Sequence, residues 1–416
     1  MGMTTLNSVL GVWLSRRLSV ATIARAGRVC LDGSFSSRRV AAFLIPKGET
    51  AVGRIIRRRL LTISVAVFSG LFPTMTAVAG AAPLPQIQMI DLGTLGGPSG
   101  YSAASAVNDR GEVIGVSTVG VDDGAVFLWR DGQMIDLGVR GNPVDIRASD
   151  INSHGQVVGC AASVGGFRWD NGVLTDLGEM ACAVAVNGPG QIVGISRPFE
   201  RPPRMVRWDN GVLVEGPEQA VFAQPVDIND RGEIVGTTGL YGPGGPIVGF
   251  RWSGDTFTVL GSVEWGSSLT PAGINNSGQI CGSVGVDDGT RLHAVIWHNG
   301  VITDITPAAS FAYATAINAA GDVVGVVDDQ PFLWHNGTLT YLSRPGFTGF
   351  AYAINDAGDV TGVHLTADTT TPFLWRAGRL IPLPGNRDPV AMNSHGVLAG
   401  NTVVSGELHA AVWLTT

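Results

Sequence analysis

The chain has 416 residues, a formal net charge of −7 and 45% hydrophobic residues, enough to bury a large core and to exclude wholesale disorder. Its 58 glycines follow no Gly-X-Y period, which excludes collagen, and no apolar run reaches the ~20 residues of a membrane-spanning helix. Short apolar runs between many glycines, with only 7% aromatic and 15% charged residues, point to an all-β protein dense in turns.

The charge is unevenly spread. Residues 1–59 hold 11 basic and two acidic residues, a balance of +9, whereas residues 60–416 hold 16 basic and 32 acidic residues, a balance of −16. The anionic bulk repels phosphate backbones, so nucleic acid is not an expected partner.

The first element in chain order is an export signal over 52–79. The run Arg54-Ile55-Ile56-Arg57-Arg58-Arg59 is a basic n-region, Leu60 to Phe72 is an apolar stretch of 13, and Ala77-Val78-Ala79 is a small-x-small cleavage site. Thirteen residues are too few for a membrane anchor, so the mature chain carries no transmembrane segment on this reading. Counted from Met1 such a signal is 79 residues long, against 28 from Val52. Residues 1–51 therefore read as either an unusual leader or an over-extended gene start.

From residue 100 onward one pattern recurs, Asn-x-x-Gly-x-x-x-Gly followed by Trp. The asparagines are Asn108, Asn152, Asn187, Asn229, Asn275, Asn318, Asn355 and Asn393, seven intervals averaging about 41 residues. A period near 40 belongs to propellers and solenoids. Each unit divides into four short strands. The first ends in small residues before the Asn, as in Ala104-x-Ala106-Val107, and suits a crowded axis. Asn at a turn's first position with Gly three later is type I turn chemistry. The second strand, such as Glu112-Val113-Ile114-Gly115, closes on a Gly that marks a bulge or a close backbone approach. The third, such as Val126-Phe127-Leu128-Trp129, leads through Asp131-Gly132, Asn171-Gly172 or Asn336-Gly337 into the fourth, as a tight hairpin.

The phase of the repeat predicts closure. Residues 88–93 and 133–138 are the same hexapeptide, Gln-Met-Ile-Asp-Leu-Gly, and the second copy is a fourth strand. The first copy is thus a fourth strand with no unit of its own, while the last unit ends at its third strand on Trp413. A closed ring satisfies both ends, because the N-terminal strand completes the C-terminal blade. The expected fold over 87–416 is an eight-bladed β-propeller of four-stranded blades.

Leu92-Gly93-Thr94-Leu95-Gly96-Gly97, the Ile-Asn-x-x-Gly-x-Val-Val-Gly stretches and the Phe-Leu-Trp-x-x-Gly strands resemble the bacterial extracellular HAF-repeat family. The resemblance covers about residues 87–416, and the naming tripeptide is degraded to His293-Ala294-Val295 and His409-Ala410-Ala411. It implies an extracellular repeat protein and no particular chemistry.

Candidate sites are sparse. Cys160 and Cys182 fall toward the same face of adjacent units, a disulfide pair in an oxidising compartment if bonded and two buried thiols if not. No Cys-x-x-Cys, His-Glu-x-x-His or Gly-x-Ser-x-Gly is present, so no catalytic set, metal or cofactor is assigned. The distance from the second-strand Gly to the Trp runs 14, 10, 14, 16, 15, 9, 13 and 13 residues, so the second-to-third connections vary. Variable loops on a repeated scaffold are where recognition usually resides. On that face the ligand-binding candidates are Asp122, Asp123, Arg201, Arg204, Tyr241, Trp265, Asp287, Asp288, Asp328 and Asp329. The expected function is a secreted or cell-surface scaffold binding a glycan, peptide or protein. The alternative is a propeller hydrolase or lyase acting on an extracellular polymer; enzyme status stays open, with the scattered His and Asp favouring the scaffold.

Overall fold

The computed structural model describes residues 85–415, apart from 121–122, 197–202, 219, 241–246, 262–266, 288 and 345. The extension over 1–51 and the signal over 52–79 lie outside the described residues. Within them the chain is all-β, with 32 strands in eight four-stranded antiparallel sheets. Each sheet is a propeller blade, its strands A to D running in sequence order from the central axis outward. Blade 1 is A (Ser102–Val107), B (Val113–Thr118), C (Gly124–Arg130) and D (Gln133–Gly141). Blade 8 takes A (Pro389–Met392), B (Leu398–Val404) and C (Glu407–Thr415) from the C-terminus, and its D strand is Ile87–Asp91. Ile87 pairs with Thr415 and Asp91 with Ala411, so the spare N-terminal strand fills the vacant place.

Strand A is bulged in every blade. In blade 1, Ala104 pairs with Gly115 and Ala106 with Ile114, leaving Ser105 as the extra residue. The bulge drives the backbone of strand A toward strand B. A Cβ on Gly115 would lie 2.0 Å from the carbonyl oxygen of Ala103, and one on Gly400 would lie 2.3 Å from that of Asp388. Both readings of this glycine, bulge and close approach, are therefore true together.

The turns that follow strand A join the blades. The Asn108 Oδ1 accepts from the backbone N–H groups of Arg110 and Glu112, which shapes its own turn. Its Nδ2 donates to the carbonyl oxygen of Asn152 in the next blade at 3.0 Å. The same bond runs from Asn152 to Asn187, Asn229, Asn275, Asn318, Asn355 and Asn393 in turn. Asn393 returns it to Asn108. All eight side chains are buried, so each bond is made away from competing water.

The hydrophobic core lies between blades. Ile114 and Leu128 of blade 1 pack with Ile146, Val157, Phe167 and Trp169 of blade 2. Across the closure, Val113 and Phe127 of blade 1 meet Ala399, Ala410 and Val412 of blade 8. The repeated tryptophans share one rung, opposite the first residue of strand B: Val113 with Trp129, Val157 with Trp169, Leu398 with Trp413. In blades 2 to 4 the residue before the Trp is Arg, and its guanidinium lies over the next blade's indole. Arg168 sits 5.5 Å from Trp208, Arg207 5.2 Å from Trp252 and Arg251 6.0 Å from Trp297. The Nε atoms of these arginines are buried without a hydrogen-bond partner among the described residues, and the ring quadrupole offsets part of that cost.

Candidate functional site

The antiparallel blades give the ring two unlike faces. Every A–B connection is five residues, as between Val107 and Val113, and every C–D connection within one stretch of chain is two. Both types emerge on one face. In the C–D hairpins the first turn residue has positive φ at Asp131, Asn171, Asn210, Asn299 and Asn336, followed by a glycine with positive φ, the type I′ geometry. The opposite face carries B–C connections of two to eight residues and D–A connections of three to ten. Uniform turns are fixed by the needs of the ring, whereas the other face is free to differ from blade to blade.

On the uniform face, the turn tips of blades 7, 8, 1 and 2 form a shallow bowl of about 300 Å³. Its lining includes the aliphatic Val107, Ile151, Ile354 and Met392 and, above them, Asp109, Ser153, Asp356 and Ser394. The polar groups there already serve the ring. Asp109 Oδ1 accepts from the backbone N–H and the hydroxyl of Ser394 across the closure, and Asp356 Oδ1 accepts from the N–H of Ala319.

Five of the ten candidates from the sequence, Asp122, Arg201, Tyr241, Trp265 and Asp288, lie outside the described residues. The other five are on the variable face and are spread over blades 1, 3, 5 and 6. Asp123 lies 3.8 Å from Arg140, Arg204 lies 3.8 Å from Glu215, and Asp287 pairs with Arg291 at 2.7 Å. Asp328 and Asp329 form the whole two-residue B–C turn of blade 6, with φ of 45° and 64°. The Asp328 carboxylate accepts from the N–H groups of Ser310 and Phe311 and fastens the D–A loop to that turn. These described residues do not converge on one point.

Cys160 and Cys182 form a disulfide with Cα atoms 4.7 Å apart, joining strand B of blade 2 to strand A of blade 3. Cys281 is a free buried thiol, and burial, with the charge of Asp227, pushes its pKa up to about 12. Such a thiol is not a nucleophile at neutral pH.

Several contacts that hold the blades together had no clear sequence signal. His293 Nδ1 lies 2.7 Å from the Asp304 carboxylate, and its Nε2 lies 3.1 Å from the Ala309 carbonyl. His409 Nδ1 reaches both carboxylate oxygens of Asp91, at 2.9 and 3.0 Å, and so clasps the closing strand. The histidines of the two degraded tripeptides are thus strand-C to strand-D fasteners. The aspartates face two ways, since Asp91 also accepts from the N–H of Gly93 and Asp304 from that of Thr306.

A second constellation lies at the variable-face end of the inner strands of blades 6 to 8, with Phe311 just ahead of strand A of blade 6 and bridged to Leu292 of blade 5. Phe311 and Tyr313 make an edge contact at 5.8 Å, and Phe350 and Tyr352 stack at 6.2 Å with planes 13° apart. Phe311 is 48% exposed, and Tyr313, Phe350 and Tyr352 are half-buried. The Tyr352 hydroxyl is buried without a hydrogen-bond partner among the described residues. Burial, with the charge of Asp388 and the neighbouring Tyr313, pushes its pKa up. Burial, with the charge of Asp329, does the same to Tyr313. Asp388 is itself buried, which raises its carboxyl pKa against the opposing pull of its own backbone N–H and of Arg387.

Among the described residues no helix is long and apolar enough to cross a membrane, and no group of three His, Cys, Asp or Glu could hold a metal ion.

The eight blades closed by an N-terminal strand make this chain a β-propeller. No protein-family model and no curated protein matches the chain. Among solved structures it is similar to the β-propeller domain of the Trilobed protease from Pyrococcus furiosus, at 11% identity and a TM-score of 0.45, covering 70% of this chain and 98% of that one. It is also similar to the acylaminoacyl peptidase of Pyrococcus horikoshii, at 13% identity and a TM-score of 0.45, covering 69% of this chain and 53% of that one. A gluconolactonase from Xanthomonas campestris matches at 14% identity and a TM-score of 0.36, covering 82% and 94%. Likeness at this level carries nothing about activity.

Proposed function

We propose that the chain is an exported binding scaffold, a rigid ring that presents the B–C and D–A loops of one face to an extracellular ligand. The observation that carries this reading is the contrast between the faces: connections of five and two residues on one, against two to eight and three to ten on the other. A scaffold under no demand but folding has no need of such asymmetry, and recognition concentrates in variable loops on rigid frames. The resemblance to extracellular HAF-repeat proteins supports the location. The Cys160–Cys182 disulfide supports it too, because such bonds persist in oxidising compartments.

Two measurements test the proposal. N-terminal sequencing of protein recovered from periplasm or medium is expected to begin near Gly80; retention of residues 1–59 on exported protein argues against the signal. Glycan and peptide arrays probed with the full mature chain are expected to give binding that Asp123→Ala, Arg204→Ala or Asp287→Ala weakens. Asp131→Ala, Asn171→Ala and Asn336→Ala are expected to leave it intact. Binding lost only in the second set, with the fold preserved, places the site on the other face.

A further inference from the structure

We infer that the channel wall of blades 6 to 8, where it opens on the variable face, is a saccharide-binding site. The inference rests on the proposed use of that face and names the ligand class there.

The repeat breaks in these blades. The residues five and three places before each turn asparagine lie on the inner strand of the blade or, at Asp388, immediately ahead of it. In blades 1 to 5 they are small, aliphatic or polar, as at Ala103, Ser105 and Ala272, and no aromatic ring occurs among them. Blade 6 has Tyr313 there, blade 7 has both Phe350 and Tyr352, and blade 8 has Asp388. Blades 1 to 5 close without an aromatic residue at these positions, so the scaffold does not require the aromatics. Their grouping on two adjacent blades is a property added to the fold.

The group also leaves binding capacity unspent. Phe311 stands 48% exposed at the end of the row, a large apolar face in water. The Tyr352 hydroxyl is buried with its hydrogen-bonding capacity unused among the described residues. The buried Asp388 and the half-buried Tyr313 belong to the two flanking blades, whose inner strands adjoin that of Tyr352. Held-back polar groups beside open aromatic faces are the composition of a ligand site more than of a packed core.

The ligand class follows from charge and shape. Aromatic faces suit the flat C–H faces of a pyranose, and phenol and carboxylate groups supply the donor and acceptors its hydroxyls need. A cation would also favour aromatic rings and carboxylates. Here, however, Arg387 is the sequence neighbour of Asp388, and its positive charge acts on that carboxyl. Bases and acids are mixed, so the wall selects for a neutral, hydroxyl-rich ligand.

Affinity electrophoresis of the full mature chain, in gels carrying neutral polysaccharides (cellulose, xylan, mannan, starch and chitin derivatives), tests this. At least one is expected to retard the protein, with about tenfold weaker retardation for Phe311→Ala and Tyr313→Ala. Val173→Ala, on the outer strand of blade 2, is expected to change nothing, and thermal melts check that each variant is folded. Tyr352→Phe keeps the ring and removes the hydroxyl; it is expected to weaken retardation less than Tyr313→Ala, and equal or greater loss would contradict aromatic stacking as the main contact. No retardation by any polysaccharide overturns the ligand class, as does binding of tetramethylammonium in its place by calorimetry. Retardation lost through Asp123→Ala or Asp287→Ala, yet untouched in the aromatic variants, overturns this site and leaves the face standing. Retardation lost only through uniform-face substitutions overturns both.

Discussion

Asn393 donates its side-chain amide to the backbone carbonyl of Asn108 at 2.9 Å, and 285 residues of chain lie between them. This single bond completes a circle of eight, and it needs a donor. An aspartate has the same shape and can shape the same turn through its acceptor oxygens, but at neutral pH it can donate nothing. Asn393→Asp would place a carboxylate oxygen against the Asn108 carbonyl in a buried site. The expected loss is about 2–3 kcal/mol in urea unfolding near pH 7. Asn393→Ala is expected to lose less, because it introduces no charge. Equal stability of the Asp variant and the wild type would show that the amide donors do not hold the ring.

The disulfide is expected to matter for stability and Cys281 for nothing chemical. The bonded cysteines are 22 residues apart, and closing a loop of that size stabilises by about 3 kcal/mol. Reduction, or Cys182→Ser, should lower the free energy of unfolding measured in urea by about that amount. Cys281, with its pKa near 12, should resist a thiol-specific reagent in the native chain and react on unfolding. Rapid labelling of the native protein would contradict the buried placement.

His364 sets a pH dependence with a definite sign. Burial holds its imidazole below the ordinary value of 6.5, although the bond from its Nε2–H to the Leu342 carbonyl pulls the other way. The unfolded chain therefore takes up a proton at a higher pH than the folded chain does. Stability from this group is complete above 6.5 and is lost as pH falls below it. His364→Gln removes the titration, so its melting temperature should decline less than that of the wild type between pH 7.5 and 5. Glu233 adds a later loss. Burial opposes its ionisation, but bonds from Asn229, Arg231 and Arg251 outweigh this and leave its pKa below 4.5. Its contribution is present above that value and disappears only as pH falls further.

Ala377 occupies a turn position that its side chain does not suit. It has φ of 50° ahead of Gly378, where five other C–D hairpins place Asn or Asp. The left-handed region costs an ordinary residue roughly 1–2 kcal/mol, and Asn tolerates it better. Ala377→Asn should stabilise by about 1 kcal/mol and raise Tm by about 1–3 °C. An unchanged or lower Tm would mean the turn is held by something other than local backbone preference.

The repeat was readable because the ring imposes the same demands eight times. Asn, Gly and Trp recur at fixed spacing, and the duplicated hexapeptide at residues 88–93 revealed the strand that completes blade 8. What the asparagines do was only half legible. Turn chemistry accounts for Asn or Asp alike, so the signal was that all eight are Asn, the one of the two that carries a donor. The His409–Asp91 clasp was hidden because its partners are 318 residues apart and meet only through closure. The channel-wall group was hidden for a related reason. Tyr313, Tyr352 and Asp388 belong to three repeats, and only the folded ring places them side by side. Loop acids such as Asp328 looked available for a ligand because sequence does not show that a carboxylate is already occupied by the N–H groups of Ser310 and Phe311.

Strand D of blade 8 begins the described fold, and its first residue, Ile87, sits across the ladder from Thr415. The two ends of the described ring are therefore neighbours, and the circle has no intrinsic starting blade. Joining them by a short linker and opening the chain instead at an exposed two-residue hairpin, such as Asn171-Gly172, should give a circularly permuted protein with the same blades and the same ligand behaviour. The order in which the ribosome delivers the blades is then a matter of genetic history, and the choice of where to cut becomes a means of moving the weakest seam around the ring.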